Sequence, residues 1–188
     1  MEPVPIMSLW LPILVSAVLV FVASSIFHMV LPWHKNDFKP LPDEDKVMAA
    51  LRPFNIPPGE YSMPRPADMA AMKSPEFQEK LKNGPVAMLT VLPNRGFNMG
   101  PALAKWFIYC VVVAIFAAYV AGRAVGAGAE YLPVFRFAGV TAFVGYNLAM
   151  WQATIWAGRS ASTMLKHTVD GLVYGLLTGG AFGWLWPD

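Results

Sequence analysis

The segment from Ser8 to Leu31 restricts the fold more than any other feature of this sequence. It contains no charged residue, and only serines and His28 interrupt its apolar side chains. A helix rises 1.5 Å per residue, so these 24 residues would extend about 36 Å, more than the roughly 30 Å hydrocarbon core of a bilayer. The segment therefore predicts a transmembrane helix at residues 8–31.

Three later segments also predict membrane-spanning helices. The second runs from Ala102 to Ala121 and the third from Leu132 to Ala157, both within residues 102–157. The fourth is marginal, because Gly171 to Trp186 provides 16 apolar residues and about 24 Å of helix. Extending it back to about Lys166, within residues 160–186, reaches the required length and places Asp170 at the edge of the hydrocarbon.

Composition agrees with a membrane protein. Of 188 residues, 56% are hydrophobic and 14% charged, whereas soluble domains have about 25% charged residues. A net charge of +2 is too small for a nucleic-acid-binding protein, and the single cysteine, Cys110, cannot form an internal disulfide. We expect an all-α integral membrane protein, with four transmembrane helices in a small bundle and the lipid bilayer as its surroundings.

Residues 32–101 form a proline-rich insert between the first two predicted spans. The insert contains 12 of the 17 prolines, which excludes a long continuous helix. Short helices are predicted over Asp43 to Arg52 and from the Ser74 N-cap to Asn83. Val86 to Leu92 fits either a strand or a segment on the membrane surface.

The distribution of Lys and Arg predicts the orientation. With four spans, 12 of the 14 positive residues lie on one side of the membrane, most of them in the insert. Positive charges favour the cytoplasmic side. We therefore expect a cytoplasmic insert, both termini outside, and a location in the bacterial inner membrane.

Small residues recur every four positions in two predicted spans. In the fourth span they form a glycine-zipper pattern of Gly171, Gly175, Gly179 and Gly183, and the second span has Ala114, Ala118 and Gly122. Such stripes allow close helix packing in lipid. They predict either an intramolecular bundle or a groove for a helix of another protomer or another membrane subunit.

Polar residues inside predicted spans are candidates for ion or proton binding. Asp170 could bind a proton or cation, or could pair with Lys166, Arg159 or His167. Asn147 and Gln152 predict interhelical hydrogen bonds toward Tyr174 or Thr178, or the lining of a permeation path.

The three histidines of the chain are predicted to lie on one side of the membrane. His28 ends the first span, His34 follows it, and His167 begins the fourth span one turn before Asp170. Three imidazoles and a carboxylate could bind zinc or iron, and a haem between His28 and His167 is an alternative. The spacing matches no established metal motif.

Sequence motifs of catalysis are absent, so we do not expect an enzyme or a resident cofactor. The first functional hypothesis is an accessory, scaffold or assembly subunit that acts through helix packing, as a homo-oligomer or with other membrane subunits. The second is a small oligomeric transporter or channel with Asp170 near its pathway. The third is a membrane metal or haem protein that uses His28 and His167.

Overall fold

Most of the described chain is helical. A computed structural model describes residues 2–96 and 98–188. The first helix, α1, covers Trp10–Ser25; a 3-10 turn over Ile6–Leu9 precedes it, and a π-helical turn over Ile26–Val30 follows. After the insert, the helices α4 (Gly100–Ala124), α5 (Tyr131–Tyr146), α6 (Trp151–Ala157) and α7 (Ala161–Trp184) complete the chain.

Three helical segments of the described chain are long and apolar enough to cross a membrane. They are Ile6–Val30, Gly100–Ala124 and Tyr131–Ala157. These bounds lie within three residues of the first three spans predicted from sequence, because long apolar runs are easy to locate. The protein therefore has the character of a helical membrane protein.

The third of these segments is not one continuous helix. Its helical dihedral angles end at Asn147, whose φ is −129° and ψ is −50°, and a 3-10 turn over Leu148–Met150 joins α5 to α6. No proline or charge marks this position. The break is consequently a feature that the apolar run from Leu132 to Ala157 did not predict.

The fourth predicted span corresponds to α7, which is not among the three membrane-capable segments. Its 24 residues would extend about 36 Å, so length is not the reason. The polar side chains of Lys166, His167 and Asp170 lie in its first half and lower its mean hydropathy. The structure therefore leaves the fourth span without confirmation.

The long helices pack antiparallel in two pairs. Near the start of α1, the Val4 N–H donates to the Gly122 carbonyl at the end of α4 (2.8 Å). Near the other end, the Trp106 indole donates to the Ser24 hydroxyl (2.7 Å). The core between helices is rich in small side chains, which allows the backbones to approach closely, and it includes Ala17, Ala114, Ala117, Ala118 and Ala138.

The glycine stripe of α7 lies against α5 of the same chain. A Cβ atom built on Gly175 would be 2.8 Å from the Gly139 carbonyl oxygen, and one on Gly179 would be 2.7 Å from the Phe135 oxygen. At the ends of the stripe, Gly171 faces Asn147 and Gly183 faces Tyr131. In the α4 stripe, a Cβ on Gly122 would lie 2.8 Å from the Val4 oxygen. These contacts are intramolecular.

Pro40–Phe97 forms a separate compact unit within the predicted insert. It contains α2 (Glu44–Leu51), β1 (Gly59–Met63), α3 (Pro75–Asn83) and β2 (Ala87–Val91). The α3 N-terminus is capped as predicted, because the Ser74 hydroxyl accepts from the Phe77 N–H (3.2 Å). The segment from Val86 to Leu92 contains a strand, β2, which pairs antiparallel with β1, Tyr61 opposite Leu89.

Candidate metal centre

His28 and His34 lie in two irregular turns just after α1. His28 is in the π-helical turn, where the Leu31 N–H donates to the Ile26 carbonyl five residues earlier (2.9 Å). His34 ends a 3-10 turn that begins at Pro32. A π turn inserts one extra residue and redirects the side chains around it, and such turns are frequent at functional sites.

His167 and Asp170 come from the first half of α7. They are three residues apart, so they lie on the same face of the helix. The helix begins at Ala161, where the Ser160 hydroxyl accepts from the Thr163 N–H (3.4 Å). The cap fixes the start of α7 about two turns before the two polar side chains.

The structure brings these four side chains together. One potential ligand atom from each of His28, His34, His167 and Asp170 lies within 4.8 Å of the others. The ring centre of His34 is 4.0 Å from that of His28 and 5.0 Å from that of His167. The sequence predicted that these residues share one side of the membrane, and their convergence is consistent with that expectation.

Asp170 is the buried member of this cluster, with 2% of its surface exposed. Its Oδ2 atom is 2.8 Å from His34 Nε2 and 3.6 Å from His167 Nδ1. Of the three partners that the sequence suggested for Asp170, the structure therefore places His167 beside it. Its shortest contact is to His34, which sequence reasoning did not name as a partner.

Two of the imidazoles are oriented by groups outside the cluster. The Nδ1 atom of His34 is 2.5 Å from Asp37 Oδ2, and the Nδ1 atom of His28 is 3.0 Å from the Ser24 carbonyl oxygen. In metal sites, a ligating histidine almost always donates its second ring N–H to a carboxylate or carbonyl in this way. Both contacts leave Nε2 as the nitrogen available to a metal.

Asp37 and Lys166 were not predicted as a pair. The Lys166 ammonium donates to Asp37 Oδ1 (2.8 Å), so the expectation that it pairs with Asp170 is corrected. Burial alone would raise the pKa of the Asp37 carboxyl, but the hydrogen bonds from Lys166 and His34 lower it below its ordinary value. Asp37 therefore stays ionised and can orient His34. The three-residue spacing between His34 and Asp37 is the sequence feature from which this contact could have been predicted.

His34 lies between two carboxylates, Asp37 and Asp170. A neutral imidazole has one N–H donor, yet His34 has a carboxylate oxygen within hydrogen-bond distance of each ring nitrogen. Replacing the Nε2 proton by a metal ion would keep the bond to Asp37 and the favourable charge next to Asp170.

Asn147 and Gln152 do not make the predicted interhelical hydrogen bonds. Gln152 is exposed, and the amide of Asn147, 1% exposed, has no hydrogen-bond partner among the described residues. The Thr178 hydroxyl donates instead to the Tyr174 carbonyl in its own helix (2.9 Å). The helix break at Asn147 turns this residue against Gly171. The predicted hydrogen bonds assumed a continuous helix, and they fail because the helix ends here.

Comparison of the chain with protein-family models, with curated proteins and with solved structures gives no match. We therefore infer the function from the geometry of the site.

Proposed function

We propose that this protein is a multi-pass membrane protein that binds a divalent transition-metal ion through His28, His34, His167 and Asp170. The observation that supports it most is the approach of four potential ligand atoms to within 4.8 Å. Three imidazoles and one carboxylate are ligands that zinc, iron and manganese accept. The Nδ1 contacts to Asp37 and to the Ser24 carbonyl add the outer support that such ligands usually have.

The spacing of the ligand atoms is compatible with a metal after a small movement. Ligands about 2.0–2.1 Å from a tetrahedral ion are separated by roughly 3.3 Å. The His34–Asp170 contact is already shorter than this, and the His167–Asp170 contact is close to it (2.8 and 3.6 Å). His28 is exposed, so its side chain has room to adjust.

A haem has less support than a single metal ion. Axial coordination by His28 and His167 would require a porphyrin between their rings. The ring of His34 lies within 5.0 Å of both other ring centres, and it therefore fills the space that the porphyrin needs.

The other two functional hypotheses also have less support. The glycines of α7 contact α5, so they give no argument for a partner helix. Asn147 is buried against Gly171 and Gln152 is exposed, so these residues do not line one path with Asp170. An accessory or assembly role would then depend on surfaces other than the glycine stripe.

The proposal includes four spans, a cytoplasmic insert and outward termini in a bacterial inner membrane. In support, α7 packs along α5, with Gly183 at Tyr131 and Gly171 at Asn147, and α5 belongs to the membrane-capable segment Tyr131–Ala157. Pairing of Lys166 with Asp37 and of Asp170 with His34 lowers the cost of bringing these charges near hydrocarbon. The excess of Lys and Arg in the insert supports its cytoplasmic position.

Metal analysis of the purified protein tests this proposal. The protein should carry an affinity tag without histidine, because all three of its own histidines are in the site. We expect about one zinc, iron or manganese ion per chain after equilibration with the metal and removal of excess. The His34→Ala and Asp170→Asn variants should lose it, whereas Asp43→Asn, at an exposed carboxylate, should retain it.

Helical content and elution volume show whether each variant is folded. If folded wild-type protein retains none of the three metals, or if both site variants retain as much as Asp43→Asn, the proposal is wrong.

A further inference from the structure

A cavity of about 450 Å³ lies directly beside the proposed metal centre. His28, His167 and Asp170 belong to its wall and also to the metal-ligand cluster. Its volume is within the range of small-molecule sites, roughly 300–1,000 Å³. A molecule in the cavity would therefore be next to any ion held by these residues.

The rest of the cavity wall is mostly apolar and aromatic. Trp106, Tyr109, Tyr146 and Tyr174 line it, together with three methionines and Leu103. Neighbouring rings in this wall have their centres 5.4–6.3 Å apart. Aromatic side chains at these separations offer faces and edges to a flat ring. The wall favours a planar apolar molecule over a charged or flexible polar one.

The polar tips of three of these aromatic residues have partners. The Trp106 indole donates to the Ser24 hydroxyl (2.7 Å), the Tyr109 hydroxyl to the Gly145 carbonyl (2.6 Å) and the Tyr146 hydroxyl to the Cys110 carbonyl (3.5 Å).

Tyr174 differs from these three residues. It is 4% exposed, and its hydroxyl has no hydrogen-bond partner in residues 2–96 and 98–188. A buried hydroxyl without a partner costs about 1–3 kcal/mol. Tyr174 also lines the cavity, so an oxygen acceptor on a ligand there would remove this cost once the side chain turns its hydroxyl toward the ligand.

We propose that the cavity binds a lipid-soluble planar ring molecule with carbonyl or hydroxyl oxygens, the chemistry of a quinone or quinol headgroup. The ring lies among the aromatic side chains, one oxygen accepts from the Tyr174 hydroxyl, and a second oxygen faces the metal cluster. A saturated lipid chain would fit the apolar wall but would leave the Tyr174 hydroxyl without a partner. The contact to the ion rests on the proposed metal site, whereas the contact to Tyr174 does not.

Binding of a benzoquinone with a single prenyl group to the purified protein in detergent tests this inference. We expect saturable binding at one site per chain. A cyclohexane with the same prenyl group, which has no oxygen and no flat ring, should bind at least tenfold more weakly.

Two variants locate the site. Tyr174→Phe keeps the ring and removes the hydroxyl, so quinone affinity should fall about 3–10-fold, as expected for one hydrogen bond. Leu103→Trp should fill the cavity from α4 and abolish binding. The matched control is Tyr119→Phe, which removes a hydroxyl from an exposed α4 residue outside the cavity wall and should leave affinity unchanged.

Metal content measured on the same samples separates the two proposals. Quinone binding that is tighter with the metal than without it supports both. Metal binding without quinone binding, equal binding of the saturated analogue, or equal affinity in wild type and Tyr174→Phe overturns the cavity inference and leaves the metal site standing. Tyr174-dependent quinone binding to a protein that binds no metal supports the cavity and overturns the metal site.

Discussion

At the scale of single residues, Asp37 has the most specific role in the proposed metal site, because it orients one of the ligands. Its carboxylate holds His34 Nδ1 at 2.5 Å and Lys166 Nζ at 2.8 Å, so it fixes the ring whose Nε2 faces Asp170. Loss of an outer carboxylate typically weakens metal binding 10–100-fold.

Asp37→Asn should therefore lower the metal affinity by about this factor without loss of folding, as measured by competition with a chromophoric chelator. Asp43→Asn is the matched control, because its carboxylate is exposed and is not part of the cluster of potential ligands. An affinity equal to that of wild type in Asp37→Asn would show that Asp37 does not support a metal ligand.

Asn147 is the second residue for which the structure predicts a measurable effect, here a loss of folding stability. Its buried amide has two polar atoms without partners in the described chain, and such groups cost about 1–3 kcal/mol each. Leu has a similar shape, so Asn147→Leu should raise the unfolding temperature in detergent. Asn147→Ala also removes the amide but loses packing against Gly171, so it should gain less. A lower unfolding temperature for Asn147→Leu would mean that the amide has a partner in solution.

At the scale of elements, the close contact between α5 and α7 determines which glycines of α7 can be replaced by a larger residue. Gly179→Ala would place a methyl group 2.7 Å from the Phe135 carbonyl oxygen, and such overpacking costs about 1–3 kcal/mol. The adjacent Gly180 provides a matched control, since its nearest neighbour would be the Tyr131 hydroxyl at 3.7 Å.

We therefore expect Gly179→Ala to unfold at a lower temperature than wild type in detergent. Gly180→Ala should be unchanged or more stable, because alanine favours helix over glycine by about 1 kcal/mol. Equal effects at both positions would contradict the close packing of α5 on α7.

The elements also show how far sequence reasoning reaches. Long apolar runs located three membrane-capable segments, and the Ser74-Pro75 signal located the start of α3. The helix break at Asn147 was missed, because tertiary packing against Gly171 determines it and no proline or charge marks it. Pairing of β1 with β2 was also missed, since strand partners 24–32 residues apart are not evident in a proline-rich segment.

At the scale of the whole molecule, the site was partly predictable. The order of the segments placed His28, His34, His167 and Asp170 on one side, and the structure brings them within 4.8 Å. Asp37 was not predicted, because one acid in a polar connection resembles any solvated acid until the fold brings Lys166 to it. The cavity was also not predictable, because its wall combines residues from α1, α4 and α7 with Tyr146 and Met150.

The membrane topology is the prediction that concerns the whole molecule. With a cytoplasmic insert and four spans, a reporter active in the cytoplasm should be active when fused after Glu60, and one active outside should be active after Asp188. The physical reason is the excess of Lys and Arg in the insert. Activity of the exterior reporter at Glu60 would invert the orientation. Activity of the cytoplasmic reporter at both sites would show that α7 does not cross the membrane.

The most direct measurement of the central claim is the X-ray absorption spectrum of the metal-loaded protein in detergent. Three histidines and Asp170 predict about three imidazole nitrogens and one carboxylate oxygen near 2.0–2.1 Å for zinc. Imidazole rings also give outer-shell scattering, which oxygen ligands alone do not give. A shell of oxygen atoms alone, with no imidazole scattering, would contradict the proposed metal centre.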